Sequence, residues 1–166
     1  MTTANELNKL AVEQFKLKNW DQAEQLYRQA LEAEAGYFPA RLNLGILFFK
    51  EGKFEQSIQE CTRAVSLRPN HAAAHFHLGN AYYAKNWWEE ALVEYERVLS
   101  LDPEHVEVLF ALGGIYLNRG HKEKAIECWE KYLQKSPDNS PKAQLAKEYI
   151  SGSLANQVHI GKYISE

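Results

Sequence analysis

Excess charge of one sign, long apolar runs and cysteine are all scarce in this chain of 166 residues, and each scarcity removes a class of function. Nineteen Lys and Arg stand against 22 Asp and Glu, for a formal net charge of -3, and there is no basic run. A phosphate backbone would find little here to neutralise it, so nucleic acid is not expected as a partner. Nowhere do apolar residues run together at the length a membrane-spanning helix needs. The opening "MTTANELNKLAVEQ" has no charged start followed by an apolar stretch, and the expectation is a cytoplasmic, unprocessed protein without membrane insertion. The two cysteines, Cys61 and Cys128, form no C-x-x-C, and nothing favours a bridge between them. What is present, 45% hydrophobic and 25% charged residues, is the profile of an ordered domain with a core.

The chain also carries a period. Leu44-Gly45, Leu78-Gly79 and Leu112-Gly113 recur every 34 residues, with a weaker copy at Leu10-Ala11. In the same phase come Phe48, Tyr82 and Tyr116; Ala23, Ser57, Ala91 and Ala125; Tyr27, Cys61, Tyr95 and Trp129; and Pro69, Pro103 and Pro137. Each copy divides into two helical halves. Ala74, Leu78, Ala81 and Tyr82 are spaced for one face, as are Ala91, Leu92, Tyr95, Val98 and Leu99. Asn86, like Gly52 and Gly120, tolerates the left-handed backbone that separates the halves, and the prolines stop the second helix. The small residues at Gly45, Gly79 and Gly113 let paired helices approach closely. A single hairpin leaves one face bare, so the hairpins must stack.

These residues resemble the tetratricopeptide repeat family, whose pattern W-x2-L-G-x2-Y, A-x3-F and P they follow. The resemblance implies an all-α, right-handed solenoid of four hairpins over residues 4–139 (4–37, 38–71, 72–105 and 106–139). The leading Trp of the pattern is replaced by Leu7, Arg41, His75 and Leu109, and the first copy ends in Ala35-Gly36 without its proline. After Asn139, Ser140 is a candidate N-cap, Pro141 a first helical residue and Gly152 a stop, which predicts a solvating cap helix over 140–151 and a tail over 152–166. Shared packing positions say much about fold and little about function.

In the family the first helix of each hairpin lines a concave groove. Carried over residue by residue, its inward positions include Val12, Phe15, Leu42, Asn43, Ile46, Phe49, Phe76, His77, Asn80, Tyr83, Phe110 and Leu117. Such a groove is aromatic and aliphatic with a few amides, which suits a partner protein or peptide segment. Some of these rings are equally suited to supporting the next hairpin. The clamp by which family members hold acidic chaperone tails maps onto Asn8, Val12, Asn43, Ala73 and His77. Only Asn43 matches, so chaperone-tail binding is not expected.

Other candidates are weaker. His71 and His75 have the spacing of a metal pair, but by repeat phase His71, His75 and His77 diverge, and no metal or other cofactor is expected. No nucleophile, phosphate loop or paired carboxylates stand in a catalytic context, so no enzyme is expected. Trp88 falls in phase with Trp20 and Phe54 at the start of a second helix. Trp87 falls in phase with Asn19, Lys53 and His121, positions that face water. It is therefore either an apolar knob for a partner or a cover over Trp88. The tail "SLANQVHIGKYISE" alternates in a way that suits either a frayed end or an extended segment in a groove. The chain thus reads as a non-catalytic adaptor or scaffold, with self-assembly through Trp87, the groove or the tail as the alternative.

Overall fold

The computed structural model describes residues 2–136 and 140–152. Among these are nine helices: α1 (Ala4–Lys16), α2 (Trp20–Ala33), α3 (Phe38–Lys50), α4 (Phe54–Leu67), α5 (Ala72–Ala84), α6 (Trp88–Leu101), α7 (Val106–Asn118), α8 (Lys122–Lys135) and α9 (Pro141–Ile150). They pack as the pairs α1/α2, α3/α4, α5/α6 and α7/α8, each pair against the next, with α9 on α8. The result is an all-α helical repeat solenoid.

Each hairpin turns by the same hydrogen-bond pattern, which explains its residue choices. At the second tip Lys53 N–H donates to Phe48 C=O at 2.8 Å and Gly52 N–H to Phe49 C=O at 3.0 Å, closing the carbonyls at the end of α3. That motif needs one left-handed residue, supplied by Gly52 (φ 74°), Gly120 (φ 77°), Asn86 (φ 60°) and Lys18 (φ 61°). Side chains then decide how closely paired helices approach. A Cβ on Gly79 would lie 2.7 Å from the Tyr95 ring, and one on Gly45 would lie 2.6 Å from Cys61 Sγ. Tyr27, Cys61, Tyr95 and Trp129 are all buried at these contacts, together with Ala23, Ser57, Ala91 and Ala125. Trp129 Nε1 donates to Phe110 C=O at 3.1 Å, and Ser57 Oγ to Gly45 C=O at 2.8 Å, so these two polar groups have partners within the layer.

Two of the four replaced leading positions share one device. Arg41 donates from Nη1 to Glu60 at 2.8 Å and from Nη2 to Ala35 C=O at 2.8 Å. Thirty-four residues on, His75 Nδ1 lies 2.6 Å from Glu94 and Nε2 lies 2.9 Å from Pro69 C=O. In the outer hairpins the same two places hold Leu7 with Leu26 and Leu109 with Cys128. A basic group in the middle hairpins thus comes with an acid and a loop carbonyl, and an apolar group comes with an apolar one. Ser140 Oγ accepts from Ala143 N–H at 3.2 Å to start α9. Ala143, Ala146 and Tyr149 are buried, with the Tyr149 ring stacked 5.0 Å from Trp129.

Candidate functional site

The first helices of neighbouring hairpins meet, α1 with α3 and α3 with α5, and carry the expected groove residues. Seven of these, Val12, Phe15, Asn43, Ile46, Phe76, His77 and Leu117, are half-buried and still present surface. The other five, Leu42, Phe49, Asn80, Tyr83 and Phe110, are buried. Each has a specific cover. Phe49 packs on Phe54 with ring centroids 5.5 Å apart, and Tyr83 meets Trp88 edge-on at 4.9 Å. Phe110 is 1% exposed beside Tyr132 at 5.4 Å. Asn80 Oδ1 accepts from Tyr95 O–H at 2.7 Å, and Leu42 sits in a cluster with Phe38, Cys61 and Leu78.

Two signals in the sequence could have marked three of these five residues, Phe49, Tyr83 and Asn80. Aromatic residues five apart across a tip close on each other at Phe49/Phe54 and Tyr83/Trp88, although Phe15, with Trp20 at the same distance, stays half-buried, as does Leu117 with Lys122. A buried Tyr95 hydroxyl also requires an acceptor, and Asn80 supplies one.

Amides and imidazoles set the polarity of the surface that remains. Asn43 Nδ2 donates to Asn8 Oδ1 at 3.0 Å, linking α3 to α1 across the groove wall. The Phe76 ring lies 5.4 Å from His77 and 4.7 Å from His105. Burial, followed by the nearby His105, Lys50 and His71, pushes His77 down to about 4, so the imidazole is neutral at ordinary pH. At the five clamp positions, Asn8, Val12, Asn43, Ala73 and His77, a carboxylate therefore meets amides, apolar groups and a neutral ring.

Trp87 caps α6, is 44% exposed, and stacks on Tyr82 with centroids 5.8 Å apart. Trp88, next to it, packs on Tyr83. The three histidines go separate ways: His71 lies on the Phe38 ring, His75 bridges Glu94 and Pro69, and His77 lies beside Phe76. Among the described residues no group of three His, Cys, Asp or Glu could hold a metal, and no helix is long and apolar enough to cross a membrane. Burial raises the thiols of Cys61, to about 12, and Cys128, to about 11, so neither is a ready nucleophile. The tail beyond residue 152 lies outside the described residues. Sequence reading also missed a concavity beside Ala35, Arg41 and Arg63.

Comparison with known proteins agrees with this architecture. Family profiles described as "TPR repeat" match residues 47–86 and 79–120, and others described as "Tetratricopeptide repeat" match 14–62 and 106–139. No curated protein matches the chain. Among solved structures, one of MamA superposes with a TM-score of 0.82 at 22% identity, covering 98% of this chain and 84% of that one. A tetratricopeptide repeat protein from Parabacteroides merdae gives 0.78 at 22% identity, covering 97% and 65%. The first TPR of Spaghetti (RPAP3), bound to the HSP90 peptide SRMEEVD, gives 0.65 at 29% identity, covering 68% of this chain and 91% of that one. The period, the hairpins stacked in one phase and these matches lead to one assignment: the chain belongs to the tetratricopeptide repeat family.

Proposed function

We propose that the protein is a non-catalytic adaptor or scaffold that holds an apolar or aromatic-containing segment of another protein in its groove. The observation that carries this reading is the row Val12, Phe15, Ile46, Phe76 and Leu117, apolar side chains left half-buried along four successive first helices while the core is filled by others. Such a wall gains free energy by losing its water to an apolar ligand, at roughly 25 cal/mol per Å² covered. The peptide-bound RPAP3 repeat domain supports peptide binding by this architecture. The chemistry differs at the clamp positions, where neutral His77 and the paired Asn8 and Asn43 disfavour a carboxylate-led mode.

Selection from a random peptide library tests the reading. Wild-type protein should enrich segments rich in Leu, Phe and Trp, and Ile46→Lys, placed mid-wall, should lose most of that enrichment. Enrichment of acidic C-terminal sequences, or an enrichment that Ile46→Lys leaves intact, contradicts the proposal. Selected peptides that match the chain's own "QVHIGKYISE" would instead favour self-assembly, the reading that the exposed Trp87 also suits.

A further inference from the structure

The junction between the first two hairpins departs from the two that follow it, and a cavity opens beside the departure. At the second junction Arg97 of α6 donates from Nη2 to Asn70 Oδ1 at 2.7 Å, tying a second helix to the loop before it. At the third, Lys135 of α8 pairs with Glu104. The loop residues Gly36, Asn70 and Glu104 are spaced by 34, as are Arg63 and Arg97, and Ser66 and Ser100. Arg63 therefore occupies the place of Arg97, but its loop counterpart is a glycine. A Cβ on Gly36 would meet nothing within 4 Å. A cavity of about 300 Å³ is lined there by Ala35, Arg41, Arg63, Ser66 and Leu67.

The wall of the cavity has a definite chemistry. Arg41 Nη1 and Arg63 Nη1 donate to the two oxygens of Glu60 at 2.8 and 2.7 Å, so two guanidinium groups share one carboxylate. Arg41 Nε is buried and meets no acceptor among the described residues. The Arg63 side chain is 60% exposed, with N–H groups beyond the one that Glu60 takes. Leu67, itself exposed, adds an apolar side.

We propose that this cavity binds a carboxylate on a short aliphatic stem, an Asp or Glu side chain of a partner protein. Its oxygens accept from Arg63 as Asn70 accepts from Arg97, and its stem lies against Leu67 and Ala35. A carboxylate is favoured over an amide because the wall carries one uncompensated positive charge, and a planar guanidinium binds a carboxylate in a fork that a neutral acceptor cannot match. The Glu104 and Lys135 pair shows the same kind of contact made within the chain. The cavity shares no lining residue with the groove, so the two readings stand or fall separately.

The test is a titration of isotope-labelled protein, followed by NMR, with N-acetyl-aspartyl-N-methylamide, its asparaginyl counterpart and acetate. The aspartyl compound should give saturable shifts at the amides of Gly36 and Ser66 and at Arg63 Nε–H, weakening as salt is added. Gly36→Asn places an acceptor where the ligand would sit, in space already open. It should weaken binding about tenfold, as should Arg63→Gln, while the asparaginyl compound binds more weakly than the aspartyl one. Absence of shifts at those positions, or equal binding by Gly36→Asn, overturns the proposal. Acetate binding as tightly as the aspartyl compound overturns its assignment to a partner's side chain.

Discussion

At the scale of single residues, the chemistry of the groove turns on His77. Its imidazole is pushed from an ordinary 6.5 down to about 4, first by burial and then by His105, Lys50 and His71. The unfolded chain takes up a proton as pH falls through 6.5, while the folded chain stays neutral at this position until about 4. Stability from this group is therefore complete above pH 6.5, declines between 6.5 and 4, and is lost below that range. The decline amounts to at most about 3 kcal/mol. Thermal melts of wild type and His77→Gln at pH 7 and pH 4.5 should show a smaller drop in the variant; equal drops would contradict the assignment. The adjacent Phe76 shows what sequence could and could not convey. Phe76 and Phe110 hold the same repeat position, yet one is half-buried and the other is buried. The difference lies in Tyr132, which fills the space beside Phe110 where the earlier hairpins have Ala30, Ala64 and Val98. A periodic pattern marks which face a residue is on, and only its neighbours decide whether that face is covered.

At the scale of the hairpin, the elements were legible because glycine, proline and small residues mark backbone requirements directly. Gly52, Gly120 and Asn86 sit at left-handed positions, and Gly45, Gly79 and Gly113 sit where a Cβ would strike a neighbour. The first tip breaks the rule by placing Lys18 at φ 61°. A side chain in that conformation carries local strain that glycine relieves, offset in part by the greater freedom glycine has when unfolded. Lys18→Gly should raise stability by roughly 0.5–1 kcal/mol, read as a higher urea midpoint at unchanged slope; a lower midpoint would mean that the lysine makes contacts outweighing its backbone. Less legible were the paired substitutions of Arg41 with Glu60 and His75 with Glu94, since each residue alone reads as a departure from the family pattern. Only the fold shows that the acid on the second helix and the loop carbonyl arrive together to satisfy the base.

At the scale of the molecule, the hairpins are joined by an apolar layer and by charges repeated along the tips. Lys85 pairs with Glu55, and one repeat later Arg119 lies 3.4 Å from Glu89. Exposed pairs of this type are worth little in stability, so the layer of Ala, Leu and aromatic residues between hairpins holds the solenoid. On that division rests the proposal that Val12, Phe15, Ile46, Phe76 and Leu117, half-buried against the core, form a wall for an apolar ligand. The most direct test is calorimetric titration of a library-selected peptide at several temperatures and two salt concentrations. The account predicts a clearly negative heat-capacity change on binding, abolished with the binding itself by Ile46→Lys, and an affinity nearly indifferent to salt. A heat-capacity change near zero with an affinity that collapses as salt is added would show a partner held by charge, and would contradict it.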